Sequence, residues 1–345
     1  MVAGRPPRGE PSVWYGMSHV PDAHERAVGG VVKLQHLAAR FPNRPLRFNV
    51  LYLVSSRLPD SPEALAWWAK RNGARLVVNQ NGVAYPAWYG PGWERVNEPM
   101  SALLGAADHV FYQSEFCRLS ADRFARPATA PSEILYNAVD LDRFQPSPHA
   151  EHKKLVLLLG GSQDQWYRFD AAVRTIAALK RRGVDAELIV TGRLGWSPDA
   201  RACRTEAESL VRSLDLSDRV TLTGPYTQAK APDIFQRADI LLHTKYNDPC
   251  PAVVIEALAS GLPVVYSRSG GVPELVGDEA GVGVAAGLSW EHDVPPDPES
   301  LADAIERVRD RLNDYRQAAR QRAVERFDVR RWVDRHAEVF KRLVN

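Results

Sequence analysis

The feature that most constrains the fold of this chain is a repeated alternation of short β-rich runs with longer amphipathic stretches. Neighbouring parallel strands need a crossover connection, usually a helix, so this alternation is typical of parallel sheets covered by helices. We predict eleven strands from these runs. They lie at residues 13–15, 48–54, 76–78, 109–112, 133–135, 155–159, 187–191, 220–222, 240–243, 264–266 and 281–284.

The alternation restarts after residues 145–154, a polar stretch containing proline that we interpret as a linker. A chain of 345 residues also exceeds the size at which one hydrophobic core usually stops growing. We therefore predict an α/β protein of two Rossmann-like, doubly wound domains facing a cleft. Ligands of such sheets bind outside the carboxyl ends of the strands. The predicted helices include residues 31–41, 62–72, 114–124, 169–181, 298–312, 314–326 and 330–344.

Composition and charge exclude several classes of partner. The net charge is +2, from 44 Lys and Arg against 42 Asp and Glu, which is too small to indicate nucleic acid. No apolar run approaches the ~20 residues of a membrane helix, and the first residues lack a secretion signal. Three widely spaced cysteines indicate reduced thiols. We expect a cytoplasmic protein without a transmembrane segment, while peripheral contact with a membrane stays open.

Residues 247–263, NDPCPAVVIEALASGLP, place Glu256 inside an apolar helix. An unpaired buried carboxylate is costly, so Glu256 should have a partner. Asp248 stands eight residues earlier, on the loop between a strand and this helix. The first helical N–H groups, near Ala252 and Val253, form an anion site. Glu256 could then accept hydrogen bonds from ligand hydroxyls; the alternative is an internal ion pair, for example with Arg268.

Three glycine pairs follow strands or precede helices. Gly270 and Gly271 predict a tight turn that presents bare backbone to a ligand, although paired glycines also form ordinary turns. Gly29 and Gly30 precede the first long helix, and a third pair precedes Ser162. None fits the dinucleotide or P-loop pattern, which argues against a nicotinamide dehydrogenase or a P-loop kinase.

The other polar motifs are weaker. Asp140 and Asp142 imitate a metal-binding D-x-D pair but lie in the domain connection, so we expect no metal. Asn79 and Asn81 end a strand, where polar groups of a cleft should occur, or they form a plain Asn-Gly turn. The sequence contains neither an H-E-x-x-H cluster nor a G-x-S-x-G elbow.

Residues 219–284 closely resemble the donor-binding core of the retaining glycosyltransferases of family four, which have the GT-B fold. The segment that carries the resemblance is RVTLTGPY followed by APDIFQRADILLHTKYNDPCPAVVIEALASGLPVVYSRSGGVPELVGDEAGVGV. Supporting matches are ILYNAVDLDRFQP and the ending RFDVRRWVDRHAEVFKRL. The resemblance covers most of residues 107–345. It implies an acceptor-side domain of residues 1–147, a donor-binding domain of residues 148–328, and a last helix, 329–345, that crosses back.

The resemblance also implies roles for the two carboxylates. Asp248 would contact the hydroxyls of the donor sugar and Glu256 the ribose of the nucleotide. The helix start at Ala252 and Val253 would meet the distal phosphate. The glycine pairs Gly29-Gly30 and Gly270-Gly271 would lie near the donor phosphates and sugar.

This sequence departs from the family pattern at three places. The first carboxylate is usually Glu and is here Asp248, and Cys250-Pro251 replaces the usual Phe-Gly. The Arg and Lys that usually neutralise the diphosphate are replaced by Ser162 and Tyr167. We expect Arg168 to stabilise the departing diphosphate in their place, although it could instead be a solvated residue at a helix start. The next candidate cations are Arg193, Lys245 and Arg268.

These features predict a retaining, metal-independent glycosyltransferase that moves a sugar from a nucleotide diphosphate sugar to a hydroxyl acceptor. No cofactor is expected beyond this co-substrate. The missing Arg and Lys leave open a catalytically degenerate subunit that binds nucleotide sugars or glycans. A sugar-nucleotide epimerase of the GT-B fold is a further alternative. The base, the sugar and the acceptor are not identified by the sequence.

Overall fold

A computed structural model describes residues 9–21, 29–147 and 154–345. Contacts between Cα atoms divide the chain into two compact units. Unit 1 comprises Met1–Ala138, Ser289–His292 and Phe327–Asn345, and unit 2 comprises Val139–Leu288 and Asp293–Arg326. Part of the predicted linker, residues 148–153, lies outside the described residues. The acceptor-side and donor-side roles of the domains stay predictions.

The described part of unit 1 contains a sheet of five parallel strands in the order β1-β2-β3-β4-β5. Alternate residues of its central strands point to opposite faces. Leu51 and Leu53 pack in one hydrophobic cluster, and Tyr52 and Val54 pack in another. Both faces of the sheet are therefore covered. The strands are β1 (Val13–Trp14), β2 (Val50–Val54), β3 (Arg75–Gln80), β4 (His109–Tyr112) and β5 (Ser132–Ile134).

Six parallel strands form the sheet in the described part of unit 2, in the order β11-β10-β9-β6-β7-β8. Strand β6, the first of this unit along the chain, is central. Strands β7 and β8 extend the sheet on one side of it, and β9, β10 and β11 extend it on the other. This is the common doubly wound order, with a reversal between β6 and β9. The strands are β6 (Leu155–Leu159), β7 (Ala186–Thr191), β8 (Val220–Gly224), β9 (Ile240–His243), β10 (Val264–Arg268) and β11 (Gly281–Ala285).

Thirteen α-helices connect or follow these strands in the described ranges. In unit 1 they are α1 (Gly29–Ala38), α2 (Pro62–Arg71), α3 (Pro86–Tyr89), α4 (Trp93–Ala106), α5 (Glu115–Phe124) and α13 (Val329–Val344). In unit 2 they are α6 (Trp166–Arg181), α7 (Ala200–Ser213), α8 (Ala231–Phe235), α9 (Ala252–Ala259), α10 (Val272–Val276), α11 (Pro298–Asp310) and α12 (Leu312–Arg326).

The α/β class and all eleven predicted strands are confirmed, with small differences at the strand ends. Several helices differ from the predictions. Helix α1 begins and ends earlier than predicted, α6 begins three residues earlier, at Trp166, and α3, α4, α7 and α8 were not predicted. Pro99 lies inside α4, where its missing N–H normally indicates a break. The buried Asn97 anchors the helix near this point by donating to the carbonyls of Ala84 and Phe124, at 2.8 and 2.9 Å.

None of the helices in the described part of the chain is both long and apolar enough to cross a membrane. The three cysteines are buried, and no disulfide bond joins them.

Candidate functional site

The strand order of unit 2 brings two of the predicted site segments together. The loop after β6 carries Ser162, and the loop after β9 carries Asp248. At a topological switch point such loops diverge and leave a crevice at the carboxyl ends of the strands. The two segments meet here, because a Cβ atom added to Gly160 would lie 2.6 Å from Cγ2 of Val253 in α9. In unit 1 the described strands follow chain order, so this rule locates no crevice there.

Asp248 is a buried carboxylate with an imidazole and two cationic side chains in its surroundings. Its Oδ2 atom lies 3.3 Å from Nζ of Lys245 and 3.3 Å from Nε2 of His243. Burial alone would raise the pKa of the Asp248 carboxyl, but Lys245, His243 and Arg168 hold this pKa well below its usual range. Asp248 is therefore ionised at neutral pH. A fixed anion of this kind can accept hydrogen bonds from ligand hydroxyls.

The turn containing Gly270 and Gly271 packs directly against the Asp248 loop. Gly270 has a φ of 65°, and a Cβ atom there would lie 2.5 Å from the carbonyl oxygen of Asp248. The backbone N–H of Gly271 donates to this same oxygen at 2.9 Å. The turn thus positions Asp248, and the amide of Gly271 is already used. We therefore correct the expectation that Gly271 presents a bare amide to a ligand.

Helix α9 begins directly after this loop, with Pro251 as its N-cap residue. The N–H of Val254 donates to the Pro251 carbonyl, so the preceding N–H groups of Ala252 and Val253 stand before the first intrahelical bond. Ala252 is exposed and Val253 is half-buried. The start of α9 is therefore accessible, and its role as an anion site stays a prediction.

Glu256 lies in the second turn of α9 and is half-buried. Its carboxylate has no hydrogen bond or ion pair with any residue that the structure describes. Burial raises the pKa of Glu256 to about 7, and Arg143 opposes this shift. The predicted alternative, an ion pair with Arg268, is wrong, because the partner of Arg268 is Asp278 at 4.0 Å.

Arg168 is buried in the first turn of α6, with 5% of its surface exposed. Its Nη1 atom donates to the carbonyl oxygen of Ser162 at 2.5 Å, while its buried Nε has no partner among the described residues. Burial lowers the pKa of Arg168, and Asp248 opposes this shift. The alternative of a solvated helix-start residue is therefore wrong. Arg168 lies within the electrostatic influence of Asp248, as the site requires.

The resemblance to glycosyltransferase family four places Tyr167 where a Lys usually stands. Its hydroxyl oxygen accepts a hydrogen bond from the backbone N–H of Tyr246 at 3.0 Å. The next residue also holds this loop, because the carbonyl of Arg168 accepts from Thr244 Oγ1 at 2.7 Å. Neither contact was predicted. The first turn of α6 thus fixes the loop that leads to Asp248.

His243, the last residue of β9, is a site residue that the sequence analysis missed. It is buried beside Asp248, and burial lowers the pKa of its imidazole, so the ring is neutral. Its position at the carboxyl end of a central strand is the signal that could have found it. Lys245, predicted as a reserve cation, contacts Asp248, whereas Arg193 pairs with the exposed Asp164 at 2.5 Å.

The residues predicted in unit 1 have structural roles in the described chain. Gly30 allows α1 to approach the turn after β2, because a Cβ atom there would lie 2.7 Å from Ser56 Oγ. Gly29 is the first residue of α1. Asn79 lies within β3 and is 1% exposed, so the expectation that it faces a cleft is wrong. It accepts hydrogen bonds from Gln113 Nε2 at 2.8 Å and Lys33 Nζ at 3.3 Å.

Two further polar motifs form turns. The side chain of half-buried Asn81 accepts from the N–H of Gly82 at 2.8 Å, which is the plain Asn-Gly turn. Oδ1 of Asp140 accepts from the N–H of Asp142 at 3.0 Å. Within residues 9–21, 29–147 and 154–345, no group of three His, Cys, Asp or Glu side chains is placed to hold a metal.

The strand orders and the switch-point site define the class: an α/β protein of the GT-B fold. Residues 141–326 match the sequence model of the family described as glycosyl transferases group 1. This match spans more than half of the chain, and the protein belongs to that family.

Similar proteins were found by sequence and by structure. The chain is 32% identical over 160 residues to D-inositol 3-phosphate glycosyltransferase of Corynebacterium diphtheriae, covering 46% of this chain and 35% of the relative. It is 28% identical over 265 residues to the enzyme of the same name from Saccharomonospora viridis, covering 71% and 59%. The chain thus spans between about a third and three fifths of the length of these curated relatives.

Among solved structures, Anabaena HepE (Alr3699), crystallised in complex with UDP, matches with a TM-score of 0.69 and 20% identity. The match covers 86% of this chain and 79% of HepE. A sucrose-phosphate synthase from Thermosynechococcus elongatus matches with a TM-score of 0.67 and 20% identity, covering 87% and 74%. At this identity the likeness concerns the fold.

The packing of Gly270 against the Asp248 loop leads to a stability prediction. A Gly270→Ala substitution adds a Cβ atom at positive φ and against backbone, so we expect it to lower the free energy of unfolding by about 2–5 kcal/mol. The matched control is Gly183→Ala, where φ is 76° and nothing lies within 4 Å of the added atom. It should cost about 1 kcal/mol. Urea denaturation followed by circular dichroism compares them, and equal losses would show that the close contact is unimportant.

Proposed function

We propose that this protein is a retaining glycosyltransferase that moves a sugar from a nucleotide diphosphate sugar to a hydroxyl acceptor without a metal ion. The observation that carries this proposal is the unpartnered carboxylate of Glu256, in the helix whose accessible start follows Asp248. A half-buried acceptor without a donor suits a ligand that brings hydroxyl groups. Membership of the glycosyl transferases group 1 family supports the reaction class.

Each group at the switch point then has a role toward the donor. Glu256 accepts hydrogen bonds from the ribose, and the N–H groups of Ala252 and Val253 bind the distal phosphate. Asp248, held ionised by its neighbours, accepts from the sugar hydroxyls. Cleavage of the glycosidic bond places negative charge on the departing diphosphate, and fixed cations directed at that charge lower the barrier. Arg168 supplies this charge beside Ser162.

The remaining finer features of the proposal concern metal and location. Asp140 is engaged in a turn in the domain connection, so we assign no metal to the D-x-D motif. The three buried cysteines, which form no disulfide bond with one another, suit a reducing compartment, and we place the reaction in the cytoplasm. UDP sugars are the first donors to test, because HepE was crystallised in complex with UDP.

A second candidate function is a non-catalytic subunit that binds nucleotide sugars or glycans. It is favoured by Tyr167, since the residue in place of the family's Lys uses its hydroxyl to hold the Tyr246 backbone. An epimerase would need several acidic groups near the reacting sugar. The observed site offers Asp248 and Glu256 with neutral His243, which favours transfer.

A donor screen tests the proposed reaction. The protein is incubated with UDP, GDP and ADP sugars and pooled hydroxyl acceptors, with and without EDTA, and release of the nucleoside diphosphate is measured. We expect release to depend on acceptor and to persist in EDTA, and NMR of the product should show the anomeric configuration of the donor. Nucleotide binding without turnover would favour the binding subunit. Activity lost in EDTA and restored by magnesium would contradict metal independence.

The raised pKa of Glu256 predicts a pH dependence of nucleotide binding. Ribose hydroxyls bind the ionised carboxylate better, so the affinity for UDP should rise with pH and level off above about 7. Between pH 8 and pH 6 the dissociation constant should increase by roughly tenfold. Isothermal titration calorimetry across this range measures the effect.

The control variants separate this effect from the titration of the UDP phosphate, which also occurs near pH ~6. Glu256→Gln should bind UDP about tenfold more weakly at pH 8 and lose the protein's part of the pH dependence. Glu279→Gln, which changes an exposed carboxylate in the same unit, should behave as the parent protein. Equal pH profiles for all three proteins would remove Glu256 from the nucleotide site.

Arg168 is expected to act mainly in the chemical step. An Arg168→Met substitution keeps an unbranched side chain as far as the Nε position and removes the charged end of the guanidinium, so turnover of the donor found in the screen should fall by about 10²–10³. The control is Arg193→Met, because Arg193 is an exposed cation already paired with Asp164. Turnover of this control should stay within about twofold of the parent, since exposed ion pairs contribute little.

Two measurements accompany the Arg168 comparison. Circular dichroism establishes that the variant is folded, and uridine binding, which involves no phosphate, should be unchanged. A folded Arg168→Met protein with parental turnover would show that another cation, with Lys245 the nearest candidate, stabilises the diphosphate.

A further inference from the structure

A cavity lies in unit 2, at the opposite edge of the sheet from Asp248. It opens where β9 and β10 begin, between Leu262 and one face of α12, and its volume is about 490 Å³. This volume is within the ~300–1,000 Å³ of small-molecule sites. Because the strands are parallel, their starts and their ends are at opposite edges of the sheet. The cavity is therefore distinct from the candidate donor site.

The wall of this cavity contains a guanidinium group without a carboxylate partner. Arg320 donates to the carbonyls of Ala259 at 2.6 Å, Phe144 at 2.8 Å and Leu141 at 3.3 Å. Burial lowers the pKa of Arg320, and Asp142 opposes this shift. Arg320 forms no ion pair with the described residues. Its partners are neutral dipoles, so a ligand anion can still interact with the charge of Arg320.

Ser260 provides an independent indication of a ligand. It lines the same cavity, is 3% exposed, and its Oγ atom has no partner among the described residues. Buried hydroxyl groups are normally hydrogen-bonded, and an unsatisfied one costs about 1–3 kcal/mol. A bound acceptor would remove this cost.

The remaining polar wall suits a ligand with hydroxyl groups. Asn313, Gln317 and Gln321 project from α12 at intervals of four residues and line the cavity. Each amide can both donate and accept. The second cation of the wall, Arg316, is neutralised by Asp239 at 2.5 Å. Among the described lining residues there is no Asp or Glu to repel an anion.

We propose that this cavity binds a small polyhydroxylated organic anion, whose carboxylate or phosphate contacts Arg320 and Ser260 and whose hydroxyls contact the amides of α12. The proposal does not depend on the glycosyltransferase reaction. Guanidinium groups bind carboxylates and phosphates through the same planar arrangement of donors, so the two anion classes share this site chemistry.

Isothermal titration calorimetry of the full chain with three probes tests the proposal. Gluconate supplies a carboxylate, glycerol 3-phosphate supplies a phosphate, and sorbitol is the neutral control. We expect at least one of the two anions to bind and sorbitol not to bind. The anion that binds identifies the preferred class. Absence of binding by both anions at millimolar concentration would overturn the proposal.

Two variants locate the binding in this cavity. Ser260→Ala removes the unpaired hydroxyl, so it should weaken binding of the anion by about fivefold without destabilising the free protein. Gln317→Glu places a negative charge on the wall and should weaken binding by about tenfold or more. Arg320 is unsuitable for substitution because it joins three backbone segments.

The matched control is Thr205→Glu, which adds the same charge to an exposed position of α7 in unit 2. Its affinity for the anion should equal that of the parent chain. Parental affinity in both cavity variants, or equal losses in Gln317→Glu and Thr205→Glu, would show that the anion does not bind in this cavity and would overturn the proposal.

Discussion

The candidate donor site depends on the pairing of β6 with β9. Asp239 immediately precedes β9; its backbone N–H donates to the Val156 carbonyl at 2.7 Å, and its carboxylate accepts from the Val156 N–H at 2.8 Å. These two bonds join the starts of the two strands, and Arg316 neutralises the carboxylate. Because the sheet extends away from this pair on both sides, the following loops diverge at the other edge. Segments distant in sequence, containing Arg168 and Asp248, are thereby brought close together.

The two carboxylates eight residues apart have opposite electrostatic environments. Asp248 is more buried than Glu256, yet the pKa of Asp248 is lowered because Lys245, His243 and Arg168 surround it. For Glu256 the opposing influence of Arg143 is smaller than the effect of burial, so its pKa rises to about 7. Environments that separate the pKa values of two similar groups commonly give them different tasks. Asp248 is suited to act as a permanent anion. Glu256 ionises most readily when a ligand donates hydrogen bonds to it.

The sequence alone was sufficient for features that depend on local periodicity. Buried strands such as β6 and β9 are short apolar runs, and their limits were predicted to the residue. Features that depend on tertiary partners were not visible. Helix α4 contains Pro99, and the contacts of Asn97 that anchor this helix run to distant carbonyls. Asn79 was expected in a cleft because it ends an apolar run, but Lys33 and Gln113, which are remote in sequence, enclose it.

The orientation of the cation of the site, Arg168, also depends on tertiary contacts. The resemblance to family four implied that Tyr167 stands in place of a Lys, which suggested a missing charge; the sequence could not show which way the next side chain points. In the structure the first turn of α6 uses Tyr167 and the Arg168 carbonyl to hold the loop after β9, and both bonds involve neutral groups. The guanidinium of Arg168 is directed to the Ser162 carbonyl instead. A buried guanidinium costs more to desolvate than an exposed lysine, but its interaction with an anion is less screened by water. The cation stands one residue further along α6, at Arg168 instead of Tyr167. It therefore still lies beside the proposed diphosphate position, and its burial holds it fixed.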